Sequence, residues 1–174
     1  TKKGERVYAL VQSNKKPGLY RSDDGGKIWS LVSQDSRINT RMWYFGRVFA
    51  DPQNPDIVYI PNRSVMRSKD GGHTFKAIKG SPGGDDYHYV WIDPQNDHHM
   101  IIGADQGTTI SLDDGNTWSS WYNQPTAQFY HVTTDNAFPF HIYGAQQDAG
   151  TVGIASRSDY GEITFRDWFS VEAG

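Results

Sequence analysis

The 174-residue chain contains no cysteine. Disulfides, thiolate metal sites and a cysteine nucleophile are thereby excluded. No apolar run approaches the roughly 20 residues that a membrane-spanning helix needs, so no membrane span is expected. Charge of one sign is also scarce. Lys and Arg number 17 against 20 Asp and Glu, a net charge of −3, and the two signs are interspersed. Nothing forms the basic stripe that a phosphate backbone demands, and nucleic acid is not an expected partner. No stretch carries the periodicity of a long amphipathic helix. The six histidines lack metal-ligand spacing, and the Gly-Gly pairs belong to turns rather than to a phosphate cradle. Neither a metal nor a cofactor is expected.

Aromatic residues make up 14% of the chain, alongside 18 Gly and 8 Pro. That mixture suits short strands joined by tight turns. One eight-residue pattern recurs, Ser-x-Asp-x-Gly-x-Thr-aromatic. It is carried by Ser22, Asp24, Gly26, Ile28 and Trp29, then by Ser68, Asp70, Gly72, Thr74 and Phe75. The third copy is Ser111, Asp113, Gly115, Thr117 and Trp118. Its Asp positions lie 46 and then 43 residues apart. A further 46 residues lead to Asp159, Gly161 and Thr164, a degenerate copy whose Ser158 sits one place too close. A second motif keeps the same phase: Asp51-Pro52-Gln53-Asn54, Asp93-Pro94-Gln95-Asn96 and Asp135-Asn136.

Within one period, residues 47–50, 57–61, 64–68 and 74–79 are short β-forming runs bounded by turn residues. Four strands in about 45 residues is the content of a propeller blade. In each turn the Asp is expected to accept backbone N–H groups and the Ser to tie back to the same turn. Gly72 supplies a positive φ. The closing aromatics Trp29, Phe75 and Trp118 are expected to be buried between blades. The pairs Asp23-Asp24 and Asp113-Asp114 read as turn residues rather than a calcium site.

The expected fold is all-β, a propeller segment of about four blades of four antiparallel strands. Residues 5–32 form a partial blade 1, 46–80 blade 2, 89–122 blade 3 and 129–170 blade 4, with 163–168 as the last outer strand. The run Arg6-Val7-Tyr8-Ala9-Leu10-Val11 matches Ile57-Val58-Tyr59-Ile60, the second strand of a blade. Blade 1 therefore lacks its inner strand. So few blades fall short of most rings. The chain, which opens on Thr1, is expected to be a segment of a larger protein, with the remaining blades supplied by the parent chain or by a second copy.

The repeated Ser-x-Asp-x-Gly-x-Thr-Trp motif resembles that of the Asp-box, or bacterial neuraminidase repeat, propellers. These include sialidases, xyloglucanase-type glycoside hydrolases, photosystem assembly propellers and sortilin receptors. The stretches Asp93 to Asn96, Asn123 to Tyr130 and Tyr143 to Asp148 further resemble large bacterial exported propellers termed sortilin-like or glycosyl hydrolases. The resemblance covers essentially the whole chain. It implies the fold and an extracellular or periplasmic location, while activity has to be argued from a site. The Phe/Tyr-Arg-Ile-Pro motif of sialidases is absent.

The blade register puts the loops at 33–44, 61–63, 80–88, 104–107, 120–129 and 146–150 on the face opposite the Ser–Asp turns. In the propellers that the chain resembles, that face carries the binding groove. Its ligand-binding candidates are Arg41, Trp43, His88, Gln106, Trp121, Gln124, Gln147 and Asp148. Amides, charges and aromatic plates on one surface suit sugars, through hydrogen bonds and ring stacking. Asp85 or Asp86 together with Asp105 are candidates for the carboxylate pair of glycoside hydrolysis, with His88 tuning one of them. The expected function is a binding or scaffold role towards a carbohydrate or a peptide or protein ligand. The alternative is a xyloglucanase- or sialidase-like glycoside hydrolase.

Overall fold

Runs of four to six residues alternating between apolar and polar, cut by Asp, Gly and Pro, fold as antiparallel strands. The computed structural model describes residues 4–80, 86–120, 127–147 and 150–171. The chain forms two compact units, Thr1–Gln124 and Pro125–Gly174.

The first unit holds three sheets. Strands β1 (Val7–Val11), β2 (Gly18–Ser22) and β3 (Ser30–Ser33) form the first. Strands β4 (Phe49–Ala50), β5 (Val58–Pro61), β6 (Val65–Ser68) and β7 (Lys76–Lys79) form the second. Strands β8 (Tyr87–Ile92), β9 (Met100–Ala104) and β10 (Gly107–Ser111) form the third. The second unit is one sheet of β11 (Phe129–Thr134), β12 (His141–Gln146), β13 (Gly150–Ala155) and β14 (Trp168–Val171). In every sheet sequential strands pair antiparallel, as in a meander. The fold is all-β, a segment of a β-propeller. Val7 faces Ser22 across β1 and β2 as Val58 faces Ser68 across β5 and β6. The first sheet thus opens on the equivalent of a second strand.

Two outer strands differ from expectation. In the third sheet Ser119 N donates to Ile110 O at 2.9 Å, while Ser119 Oγ accepts from Ile110 N at 2.9 Å. The hydroxyl stands in for a ladder carbonyl, and among the described residues β10 is the last strand of that sheet. In the second unit the outer strand is Trp168–Val171 rather than 163–168. Thr164 N donates to Asp167 Oδ2 at 2.6 Å, and Asp167 N donates to Thr164 O at 3.1 Å. These bonds close a turn where a strand was expected. The carboxylate holding Thr164 is that of Asp167, not Asp159.

The three complete Ser–Asp turns share one bonding scheme. Ser22 Oγ donates to Asp24 Oδ1 at 2.7 Å and accepts from Gly26 N at 2.9 Å. Asp24 Oδ1 also accepts from Lys27 N and Ile28 N, at 3.0 and 2.9 Å. Ser68 and Asp70, and then Ser111 and Asp113, repeat it. Their threonines add a hydroxyl bond, Thr74 to Asp70 at 2.6 Å and Thr117 to Asp113 at 2.7 Å. The closing aromatics diverge. Phe75 is buried, Trp118 is half-buried and Trp29 is 40% exposed. The difference follows the neighbouring sheet. Phe75 packs with Leu19 and Ile38 beside the first sheet, and Trp118 against the cluster that holds Tyr59 and Val65 of the second, whereas no described sheet precedes the first to cover Trp29. Trp29 Nε1 donates to Gly26 O at 2.9 Å and Trp118 Nε1 to Gly115 O at 3.1 Å, which holds each ring against its own turn. Phe75 has no such donor.

Strand alternation gives the second sheet two apolar faces. Ile60 and Met66 pack with Leu19, Ile38 and Phe75. Tyr59 and Val65 pack with Tyr87, Val90, Ile92, Met100 and Ile102. The Arg preceding the turn Ser reaches the next sheet's turn. Arg21 Nη1 donates to Gly71 O at 3.3 Å, and Arg67 Nη1 to Asp114 O at 2.9 Å. The loops at the opposite end of these sheets are held in mutual register by the shared core.

Candidate functional site

Three loops of the first unit meet at that end. The longest joins β3 to β4. It begins with a 3-10 turn, Ser36–Ile38, capped by Asp35, whose Oδ1 accepts from Arg37 N at 2.9 Å. Ile38 and Phe45 are buried and anchor the loop to the core. Asn62, also buried, donates through Nδ2 to Thr40 O at 2.8 Å. Arg41 O then accepts from Tyr44 N at 2.8 Å and from Phe45 N at 3.0 Å. The turn closes on Gly46, where a Cβ would lie 2.5 Å from Met42 O, so a side chain has no room there. Trp43 is left at the surface, 74% exposed.

The second loop ends in Asp86, just ahead of β8. Asp86 O accepts from Asp105 N at 3.2 Å, which joins it to the β9–β10 turn, the third loop. Arg41 Nη1 lies 3.2 Å from Asp86 Oδ2. The Arg41 guanidinium stands over the rings of Tyr44, Phe45 and Trp43, at 4.6, 5.3 and 5.7 Å from their centroids. His88 stacks on Phe45 and meets Tyr44 edge-on, with centroids 5.5 and 4.7 Å apart. Asp105 draws the set together. Its Oδ1 lies 2.8 Å from His88 Nε2, and its Oδ2 accepts from Tyr44 Oη at 3.2 Å.

The chemistry of this cluster follows from its bonds. Burial, and next the charge of Asp105, push the Tyr44 phenol up, so it stays protonated and donates. A carboxylate oxygen beside His88 Nε2 assigns the ring hydrogen to that nitrogen. In that tautomer Nδ1 is an acceptor, and it makes no hydrogen bond among the described residues. The surface therefore offers an open indole next to a braced set of polar groups.

Of the residues expected from the sequence, Arg41, Trp43, Asp86, His88 and Asp105 come together here. Gln106 follows Asp105 in the same turn. Asp85, Trp121, Gln124 and Asp148 lie outside the described residues. Gln147 belongs to the second unit, where its N donates to Gln128 O at 3.0 Å. Asp105 lies in the turn between β9 and β10, braced by two side chains, and its own side chain is 27% exposed. Tyr44 stands in the aromatic run Trp43-Tyr44-Phe45. Nothing local in the sequence links it to an Asp 61 residues away.

The second unit has its own Asp-His-Tyr group. Asp135 Oδ2 lies 2.8 Å from His141 Nδ1 and accepts from Tyr143 Oη at 2.9 Å. The backbone N–H of His141, ahead of these side chains, holds the Asp135 carboxyl well below the usual range. Asp51 N donates to Ile57 O, Asp93 N to His99 O and Asp135 N to His141 O, at 3.0, 3.0 and 3.2 Å. This group is therefore a fastener of the first turn in a repeat, elaborated with two side chains.

No family model matches the chain. Over 150 residues it is 27% identical to the xyloglucanase Xgh74A of Acetivibrio thermocellus, covering 71% of this chain and 18% of that protein. The chain thus spans about a fifth of the length of the curated relative it matches. Among solved structures it is similar to a GH74 enzyme of Niastella koreensis, with a TM-score of 0.56 and 18% identity over 95% of this chain and 28% of that one. The GH74 xyloglucanase of Xanthomonas campestris gives a TM-score of 0.51 and 12% identity, over 87% and 27%. These structural likenesses are likenesses of fold.

Proposed function

We propose that this chain is a polysaccharide-binding segment of an exported propeller of the glycoside hydrolase type. Its ligand would lie over Trp43, with His88 and Asp105 beside it. The observation that carries this reading is the exposed Trp43 indole, anchored on a loop whose ends are buried. Sugar rings stack on such plates, and their hydroxyls need convergent acceptors and donors nearby. Likeness in sequence to a xyloglucanase makes a β-glucan backbone the first ligand class to try. The Ser–Asp turns fit the Asp-box reading and serve as the frame.

Binding comes ahead of hydrolysis for a geometric reason. Both oxygens of Asp105 are engaged by His88 and Tyr44, and Asp86 faces Arg41. A general acid needs a free proton aimed at the leaving oxygen, and these carboxylates are spent on holding neighbours.

Calorimetric titration with soluble xyloglucan tests the reading. Trp43→Ala is expected to weaken binding about tenfold, or about 1.4 kcal/mol, with an unchanged melting curve. Full affinity without Trp43 would remove the reading, and reducing ends released by the wild-type chain would replace it with hydrolysis. Asp105→Asn should also lower affinity. It should cost about 1 kcal/mol of stability or more, because Asn has one acceptor for two donors: one charge-assisted bond becomes neutral and the other loses its acceptor. A chemical denaturation curve measures that loss, and no loss would mean that the brace to His88 and Tyr44 contributes nothing.

A further inference from the structure

We infer that Arg41 is a positioning residue for Trp43, held in that role by Asp86; the inference rests on the binding reading above. Trp43 is 74% exposed, so its ring has rotamer freedom to lose when a ligand stacks on it. Two neighbours limit that freedom. Tyr44 lies at a centroid distance of 5.6 Å, and the Arg41 guanidinium at 5.7 Å. The same guanidinium also stands over Tyr44 and Phe45. Phe45 is buried and Tyr44 is tied to Asp105. One flat cation thus couples the free ring to two fixed ones, a contact that a lysine ammonium does not reproduce.

The backbone points the same way. Arg41 and Asp86 both have left-handed φ values, +47° and +53°. Such angles are unfavourable for residues with a Cβ, and a turn needing only the backbone shape is better served by glycine. The cost falls mainly on Arg41, since Asp visits this region more readily. The two residues lie 45 apart in sequence, and their side chains meet at 3.2 Å. Strain of this kind persists where the side chain placed by it has work to perform. Asp86 is itself fixed through its backbone bond from Asp105. The anchored turn, the ion pair and the stacked guanidinium form one continuous brace that ends on Trp43.

The test compares affinity, stability and ring mobility in the 174-residue chain, with soluble xyloglucan as the probe. Arg41→Gly suits the left-handed backbone, so its melting temperature should match or exceed the wild type. Its affinity should fall about fivefold. Arg41→Lys keeps the charge without the plane and should fall as far. Asp86→Asn keeps the shape, and Asn tolerates the left-handed angle; it should lose affinity about threefold. In chains carrying 5-fluorotryptophan, the Trp43 fluorine resonance is assigned by its loss in Trp43→Phe. It should narrow in Arg41→Gly as the ring gains freedom, a change that a merely structural role would not produce in a chain of unchanged stability. Wild-type affinity in Arg41→Gly, with binding lost in Trp43→Ala, would overturn the positioning role alone. Wild-type affinity in Trp43→Ala would overturn the binding reading beneath it. Should Arg41→Gly fail to fold, Asp86→Asn decides, and unchanged affinity there overturns the inference.

Discussion

Gly72→Ala should destabilise the chain by about 3–4 kcal/mol, and Gly26→Ala by only about 1–2 kcal/mol. The two glycines occupy the same place in successive Ser–Asp turns, with φ values of +93° and +92°. The backbone penalty for a side chain in the left-handed region is therefore common to both. Their surroundings differ. A Cβ on Gly26 would meet only Trp29 Cζ2, at an ordinary 3.6 Å. A Cβ on Gly72 would lie 2.6 Å from Leu19 Cδ2 and 3.2 Å from Val32 Cγ2. Leu19 is fully buried between the first and second sheets, so it has nowhere to go without disturbing Ile60, Met66 and Phe75. Inserting atoms into such a core costs about 1–3 kcal/mol beyond the backbone term. Urea unfolding of the two variants measures the difference. Equal losses would mean that the turn of the second sheet does not press on the first. The expected gap is a large share of the roughly 5–15 kcal/mol that holds a domain together.

That pair of glycines also shows why much of the fold was legible. The turn chemistry is local. Ser, Asp and Gly at fixed spacing specify a hairpin whose bonds close within seven residues, from Ser68 to Thr74. Repetition of the turn at a period near 45 residues then marks out successive sheets. What depended on longer-range contact was less legible. Trp29 and Trp118 were expected to bury like Phe75, but burial depends on a neighbouring sheet: Trp118 packs half-buried against the second sheet, and no described sheet covers Trp29. The run at 163–168 carries strand-like composition, yet Asp167 captures Thr164 N and makes a turn there.

At the candidate site the same division holds. Loop register placed Arg41, Trp43, His88 and Asp105 on one end of the sheets. The pairing of Asp86 with Arg41, and of Asp105 with His88 and Tyr44, depends on how neighbouring sheets pack. Left-handed backbone at Arg41 has no sequence signature, because Arg is neither Gly nor one of the Asn and Asp that favour it. A reader of the sequence sees aromatic and charged residues in loops. Among the described residues the structure adds which of them are braces and leaves the Trp43 ring at the surface.

Asp70→Ala should destabilise the chain by about 1–3 kcal/mol at neutral pH, and this loss should shrink in acid. Asp70 Oδ1 accepts from Ser68 Oγ, His73 N and Thr74 N, at 2.7, 3.0 and 2.9 Å. Its Oδ2 accepts from Thr74 Oγ1 at 2.6 Å. Alanine leaves these donors to solvent, and because the turn is exposed, water recovers part of the loss. Burial alone would raise the carboxyl pKa. The bonds from Thr74, Ser68 and His73 outweigh it and bring the pKa down to about 2, from 3.8. A pKa lowered on folding gives stability that is complete above the unfolded value. It is lost as pH falls through the folded one. The wild-type melting temperature should therefore hold steady from pH 7 to about 5 and fall between about 4 and 2. Asp24, bonded chiefly by Ile28 N, and Asp113, bonded chiefly by the Thr117 hydroxyl, are shifted the same way and steepen that fall. In Asp70→Ala one of these linked protons is gone. Its curve should start below the wild type at pH 7 and draw closer to it as pH falls towards about 2, with a remainder because the protonated carboxyl still accepts. Parallel curves across that range would mean that the Asp70 charge is not what holds the turn, leaving Ser68 and the glycines to do so. Asp70→Asn separates the two contributions. It keeps an acceptor for the backbone without the charge, so its loss at pH 7 should lie between those of wild type and alanine, with little pH dependence of its own.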